Sequence, residues 1–586
     1  MSLVPRLAPL GRRLGDWSQQ GFLGLAAWMF RPLTPWDPTF SLICLLVMAL
    51  YAAWLLVPGK LMLAGAAYDL FIFTDGIHRV WGGAVPHLDF STSLGAFNLW
   101  GPALFGLLTD NEFAAFLYFH VAVLLAGILV SWYLAGSRLF LGAGLGLVLY
   151  VAALLGAPLN LGDSSSQVTY AMFYNRYGWV LFIWLVILAI PPATARPGQS
   201  LADSLLLAAL LVLALYLKIT VLLVLGAALG LLVWHGALGR RPALAALALV
   251  VALAAGLELA YPGLHAAYAR DLWDALHSNP SGRLLDIATI LPRNLTWLAL
   301  PAAVLLIGQG ARPYPSLYRE LLLLGALLLG ALLMHRNNSQ GPGLPVAFAL
   351  AALYLQRLVA PLTPAQRRAP PLAVWISALL VLLLWLPETL ERQSAVERHA
   401  RLIFNHDYDF PVPARLRERV LIRDGELGVL DKMDPQGRVV MEVEDVVNLM
   451  LQGRPRFGPL FMTQYAYIVT SGVASLAMVV ERYGPGPLVT LDFSNPFTTL
   501  LNLPAPRGDY LWFDAGRNLS RAAHRPPEQV FADVRYVMEP RIPIMGSTWQ
   551  LLEEIYMDYV RQYFERVAVT PFWIIHRRLD QTQGGS

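Results

Sequence analysis

Eleven apolar stretches dominate the first two thirds of the chain, near residues 39–57, 113–135, 139–157, 177–191, 201–217, 219–235, 242–260, 287–308, 320–335, 342–360 and 371–388. A helix crossing a bilayer needs about 20 apolar residues and satisfies its own backbone polar groups. Eleven such runs joined by short polar segments predict an α-helical polytopic membrane protein. A further run at 94–109 is shorter and broken by Gly95, Gly101 and Pro102. It predicts a helix lying in the interface, not a span.

Charge divides the chain in two. Residues 1–390 hold 36 charged side chains, about 9%, and residues 391–586 hold 46, about 23%. The second figure is close to soluble-protein composition, about 25%. In this tail, 487–493 and 510–513 predict short strands, 549–564 an amphipathic helix and 567–576 a closing strand. Mixed strands and helices predict a C-terminal soluble α/β domain over 391–586. The remaining boundaries are a cytosolic segment at 1–38 and a transmembrane domain at 39–390 with a long outer loop at 58–112. This organisation excludes a soluble enzyme and a disordered chain. It also excludes a nucleic-acid partner, although the pI is about 9.0. The net charge of +4 divides into +6 from the apolar block and −2 from the tail.

Basic residues in such a block report topology. With the N-terminus inside, the cytosolic segments hold 13 basic and four acidic residues, and the outer segments hold eight basic and eleven acidic. An odd number of spans then places the tail outside. The single cysteine, Cys44, forms no intramolecular disulfide and no cysteine metal site. Only three lysines stand beside 40 arginines, a bias of GC-rich bacterial genomes. The expected location is a bacterial inner membrane, with the tail periplasmic or extracytoplasmic.

Ionisable residues at membrane level are functional candidates, and they gather in four outer places. The first is 68–90, with Asp69, Asp75, His78, Arg79, His87 and Asp89. Asp69 also reads as the N-cap of a helix over 70–81. Asp75, His78, His87 and Asp89 are compatible with a divalent cation (Mg²⁺ or Mn²⁺), but no feature requires one and no cofactor is assigned. The second place is 160–178, with Asp163, Tyr174, Asn175 and Arg176; Tyr and Arg at a helix start also read as interfacial anchors. The third is Lys218, between two apolar runs, where a snorkelling role is the alternative. The fourth is 335–341, where Arg336, Asn337 and Asn338 also read as a plain polar turn.

Taken together, the four places offer carboxylates and cations on one side of the membrane. Attack by a hydroxyl with departure of a lipid phosphate needs that set. A carboxylate takes the hydroxyl proton, and fixed cations stabilise the charge on the leaving phosphate.

The outer loop resembles that of the GT-C superfamily of integral-membrane glycosyltransferases, which includes protein O-mannosyltransferases and lipid A aminoarabinose transferases. The resemblance covers about residues 39–360. It rests on Asp69 just after the first span, an interfacial helix, and Gly82-Gly83-Ala84-Val85-Pro86-His87-Leu88-Asp89-Phe90. It departs from the family in carrying Tyr68-Asp69 where many relatives have two acidic residues. The resemblance implies inverting transfer of a hexosyl or pentosyl group from a polyprenyl-phosphate sugar to a lipid, glycan or protein hydroxyl. Asp69 matches the base position. Asp89 would assist it, and Lys218 and Arg336 would hold the donor phosphate. Asp75, His78, His87, Tyr174, Asn175, Arg176, Asn337 and Asn338 would line the substrates. A flippase of lipid-linked glycans and a membrane-anchored interaction protein are the competing readings. Transporters place their polar groups nearer the midplane, whereas these gather at one surface.

Overall fold

The computed structural model describes residues 23–34, 36–63, 67–163, 165, 168–193, 197–278, 287–338, 341–401, 413–418, 420–422 and 462–579. The eleven predicted spans each correspond to a helix: α1 (Pro38–Leu56), α4 (Glu112–Arg138), α5 (Leu141–Gly156), α6 (Phe173–Leu188), α7 (Gln199–Leu217), α8 (Ile219–His235), α9 (Arg240–Ala260), α11 (Leu295–Ala311), α12 (Leu317–Asn338), α13 (Val346–Val359) and α14 (Leu372–Ala400). Among the described residues, seven are long and apolar enough to cross a membrane, while α5, α6, α8 and α13 are shorter apolar helices. Two of the short helices lie inside the bundle. Every residue of α6 but Tyr174 is buried, as is most of α13. At the periphery, only Ala243 and Ala246 of α9 are buried. These two short helices therefore pack on protein, whereas the long α9 leaves most of its surface uncovered.

α1 starts where its sequence says it should. Asp37 accepts the Phe40 N–H at 2.9 Å, and Pro38 occupies the first turn. Charges at the helix ends pair within one side of the predicted topology. Arg138 pairs with Asp203, and Arg357 with Glu320, all four predicted to be cytosolic. His87 pairs with Asp271, and Arg392 with Glu388, all four predicted to lie outside.

The outer loop holds α2 (Ala67–Trp81) and α3 (Phe97–Ala103), with a short 3-10 turn, Leu104–Leu107, after α3. The 94–109 segment is thus a short helix and a turn. The sequence reading had no counterpart for α10 (Leu264–His277), an amphipathic helix after α9. Asp271 of α10 accepts from Ser91 Oγ at 2.8 Å and from the Thr92 N–H at 3.0 Å, so α10 is fastened to the outer loop.

In the tail, α15 (Met462–Tyr483) precedes a four-stranded mixed sheet. Its strands are β1 (Leu488–Thr490), β2 (Tyr536–Pro540), β3 (Phe564–Val569) and β4 (Trp573–Arg578), in the order β1-β2-β4-β3. β1 and β2 are parallel, and the other pairs are antiparallel. Helix α16 (Gly546–Tyr563) runs directly into β3. The predicted 567–576 strand is two strands of one hairpin. The predicted 510–513 strand is a single bridge from Tyr510 to Ser91. Its partner comes from the outer loop, so no local pattern could extend it.

The tail is not a detached appendix. Tyr465, Phe493, Phe497 and Trp573 belong to the same hydrophobic core as the membrane helices, while a second, smaller core lies around Val537, Leu552 and Tyr556. α14 runs unbroken through residue 390 to Ala400. Leu61–Leu63, after α1, pairs in parallel with Val420–Ile422.

Candidate active site

Helix α2 carries the first candidates. Its first turn holds Asp69 and its last turn His78 and Arg79, which complement the helix dipole. Leu70, Phe71, Ile72, Phe73 and Ile77 are buried. The helix starts at Ala67, so Asp69 lies inside the first turn and is not the N-cap. Its carboxyl is pushed up to about 7, chiefly by burial. The guanidinium of Arg517 opposes this shift, and the carboxylate of Asp514 adds to it. Asp514 and Arg517 form an ion pair at 3.4 Å.

Asp69, Asp514 and Arg517 are also within electrostatic reach of Tyr174, at the start of α6. The Lys218 ammonium lies 5.1 Å from the Tyr174 ring centroid and donates to Asn175 Oδ1 at 3.5 Å. Asp69, Tyr174, Asn175 and Lys218 thus converge, although three separate stretches of chain supply them. The turn bearing Lys218 is clamped by the outer loop. Asn98 Nδ2 donates to the Leu217 carbonyl at 2.8 Å, and the Gly95 N–H to the same carbonyl at 3.2 Å. A Cβ on Gly95 would lie 2.1 Å from the Tyr216 carbonyl oxygen, so this approach requires glycine.

The other candidates of the first outer place divide among four settings. Asp75 and Arg79 are buried in a network with the tail. Arg79 donates to Asp75 at 2.8 Å and to Asp509 Oδ2 at 2.9 Å, and Thr498 Oγ1 donates to Asp75. His78 bonds to Glu112 and to the Leu503 carbonyl, both at 2.8 Å. Burial alone would lower the His78 imidazole, but Glu112 and the Leu503 carbonyl outweigh it and hold it above its ordinary value. His87 is buried against Asp271 at 2.8 Å. The Asp89 carboxylate accepts the Val85 N–H at 2.7 Å, with Arg507 3.9 Å away. These contacts fasten loop to tail and loop to α10. Among the described residues, no three His, Cys, Asp or Glu side chains gather as a metal site.

The fourth outer place meets the second. The Gly341 N–H donates to the Leu161 carbonyl at 3.3 Å, and a Cβ on Gly341 would lie 2.4 Å from the Gly162 carbonyl oxygen. Arg336 is in the last turn of α12, whose end this contact places beside 160–163. The side chains of Asn337 and Asn338 lie outside the described residues. Arg176 is buried, within electrostatic reach of Tyr170, Tyr177 and Arg392.

Asp514 and Arg517 were not among the residues singled out from sequence. They stand about 440 positions from Asp69 in a segment of ordinary soluble composition. Their charges set opposite shifts on Asp69, and this gives a signed expectation. An Asp514→Asn variant moves the titration profile of Asp69 to lower pH, and Arg517→Gln moves it to higher pH. Two profiles superimposable on the wild type would separate these residues from Asp69.

No family model matches the sequence, and no curated protein matches it. Among solved structures, the chain is similar to a crystal structure of ArnT from Cupriavidus metallidurans bound to undecaprenyl phosphate. The identity is 12% and the TM-score 0.42, over 94% of this chain and 99% of that one. The apo state of ArnT from the same organism gives 13% and 0.40, over 92% of this chain and 99% of that one.

Proposed function

We propose that this protein transfers a sugar, with inversion, from a polyprenyl-phosphate donor to an acceptor hydroxyl at the outer face of a bacterial inner membrane. The observation that carries the reading is the convergence of Asp69 with Lys218 around Tyr174. It brings a carboxyl with an affinity for protons near neutrality together with a cation at the outer end of two apolar helices. A general base works best when its pKa lies near the operating pH. In this reading Asp69 takes the proton from the acceptor hydroxyl as that oxygen attacks the anomeric carbon. The bond from that carbon to the phosphate oxygen breaks, and the electron pair leaves with the polyprenyl phosphate. Lys218 stabilises the charge that gathers there, with Arg336 as a second cation at the same end of the bundle. Asp514 is the second carboxylate near Asp69, while Asp89 holds the loop that frames the site. Tyr174 and Asn175 line the space between base and cation.

The test is direct. The purified full chain is incubated with a short-chain polyprenyl-phosphate sugar and membrane extract, and release of polyprenyl phosphate is followed with sugar-labelled product by mass spectrometry. Donor-dependent product is expected. Movement of intact donor across a vesicle bilayer without cleavage would favour a flippase instead. Lys218→Ala removes a charge-assisted contact of about 1.5–3 kcal/mol, so the donor KM rises about 10- to 100-fold. An unchanged donor KM would take Lys218 out of the phosphate site.

A further inference from the structure

Tyr174 and Asn175 meet Lys218, and the next two residues of α6 meet other helices. Arg176 is 1% exposed, and none of its three guanidinium nitrogens has a hydrogen-bond partner. A guanidinium does not give up its proton in a protein. An uncompensated buried charge costs several kcal/mol. The other cation nearby, Arg392, already has Glu388 as its partner.

The groups around Arg176 are also incompletely satisfied. His120 of α4 uses Nδ1 on Tyr177 Oη at 2.7 Å, and its Nε2 has no partner. His399 of α14 donates from Nδ1 to the Trp54 carbonyl at 3.3 Å, which leaves Nε2 as an acceptor that has no hydrogen-bond partner. The Tyr170 hydroxyl has none either. These rings adjoin one another: His120 and Tyr170 have centroids 5.6 Å apart, and Tyr170 and His399 6.2 Å apart. Arg176 is within electrostatic reach of Tyr170 and His120. One fixed positive charge thus stands with the Tyr170 hydroxyl and His120 Nε2, all buried and all without hydrogen-bond partners. Buried polar groups in folded proteins are nearly always paired, so the set calls for a missing acceptor.

We infer that Arg176, Tyr170 and His120 form a second oxyanion site, separate from Lys218, that takes a phosphate group. The several donors around one charge match the three or four oxygens of a phosphate better than a monatomic anion. The planar guanidinium fork suits bidentate contact with two of them. The phosphate comes from a lipid headgroup or from the free ion. The inference does not rest on the transfer reaction, since the site needs neither sugar nor acceptor.

Thermal unfolding of the delipidated full chain tests it, with inorganic phosphate or farnesyl phosphate added against chloride at equal ionic strength. Phosphate raises the wild-type Tm above the chloride control. With Lys218→Ala removing the donor-phosphate cation, phosphate still raises the Tm, and adding Arg176→Gln to that variant abolishes the rise. A larger rise with farnesyl phosphate assigns the lipid headgroup, and equal rises assign the free ion. The inference is overturned by a rise equal in chloride, by no rise in the wild type, or by a rise in Lys218→Ala that adding Arg176→Gln leaves unchanged. Should Arg176→Gln fail to insert, Tyr170→Phe keeps the ring and removes one donor. It is expected to halve the phosphate response, and an undiminished response there also overturns the site.

Discussion

An Asp69→Asn chain inserts and folds, and transfers sugar about 10²–10⁴-fold more slowly than the wild type. Asparagine keeps the shape of the side chain but cannot accept the proton that the attacking hydroxyl must lose. In the wild type the acid limb follows from the same group. With its carboxyl pushed up to about 7, Asp69 is protonated below neutrality, so kcat/KM falls as pH drops through 7. The effect on stability has the opposite sense. The folded value lies above the ordinary 3.8, so the folded state binds the proton more tightly than the unfolded chain. Stability from this group is complete below about pH 4 and is lost as pH rises to 7. Asp69→Asn escapes that loss, so its Tm exceeds the wild-type value above pH 7 and approaches it as pH falls towards 4. Transfer rates and melting curves from pH 4 to 9 check both expectations. Wild-type product yields in the variant would sink the assignment of the base.

Arg79→Met unfolds the outer loop from the tail. Arg79 is 1% exposed and bridges Asp75 and Asp509, which are 0% and 2% exposed. Removing one member of a buried ion network leaves uncompensated charge and costs about 3–5 kcal/mol. Here two carboxylates are left. The defect is largest at and above pH 7. It shrinks as pH falls, because burial already holds Asp509 up at about 6 even with Arg79 in place. Transfer is lost together with stability, since the same contact holds α2 and hence Asp69. The triple variant Asp75→Asn, Arg79→Met, Asp509→Asn removes the stranded charges and recovers most of the Tm. Melting curves of the two variants at pH 5 and pH 8 decide the matter. A wild-type Tm for Arg79→Met at pH 8 would show that the network contributes little.

The eleven apolar helices were legible because hydropathy over about 20 residues is a local property. The break in the 94–109 segment was legible for the same reason, from its glycines and proline. Asp69, Tyr174, Asn175 and Lys218 could be named from sequence, since polar residues stand out in apolar surroundings. Asp514 and Arg517 could not, because charge is unremarkable in the tail. Asp75, His78 and Arg79 show the limit most clearly. Their spacing marks one face of α2, but whether that face meets substrate or protein depends on residues 498–509. The amphipathic helix α10 escaped notice because its charges resemble those of a loop.

The pairing of α2 with residues 498–509 also sets an order of biogenesis. The helix that bears Asp69 leaves the ribosome early, yet its charged partners emerge more than 400 residues later. Until then Arg79 has no Asp509, and Asp69 has neither Asp514 nor Arg517. A nascent or truncated chain therefore holds its carboxyl outside the folded setting that tunes it. Competence arrives only with the last fifth of the polypeptide, so an incomplete translation product sits in the membrane without the finished site.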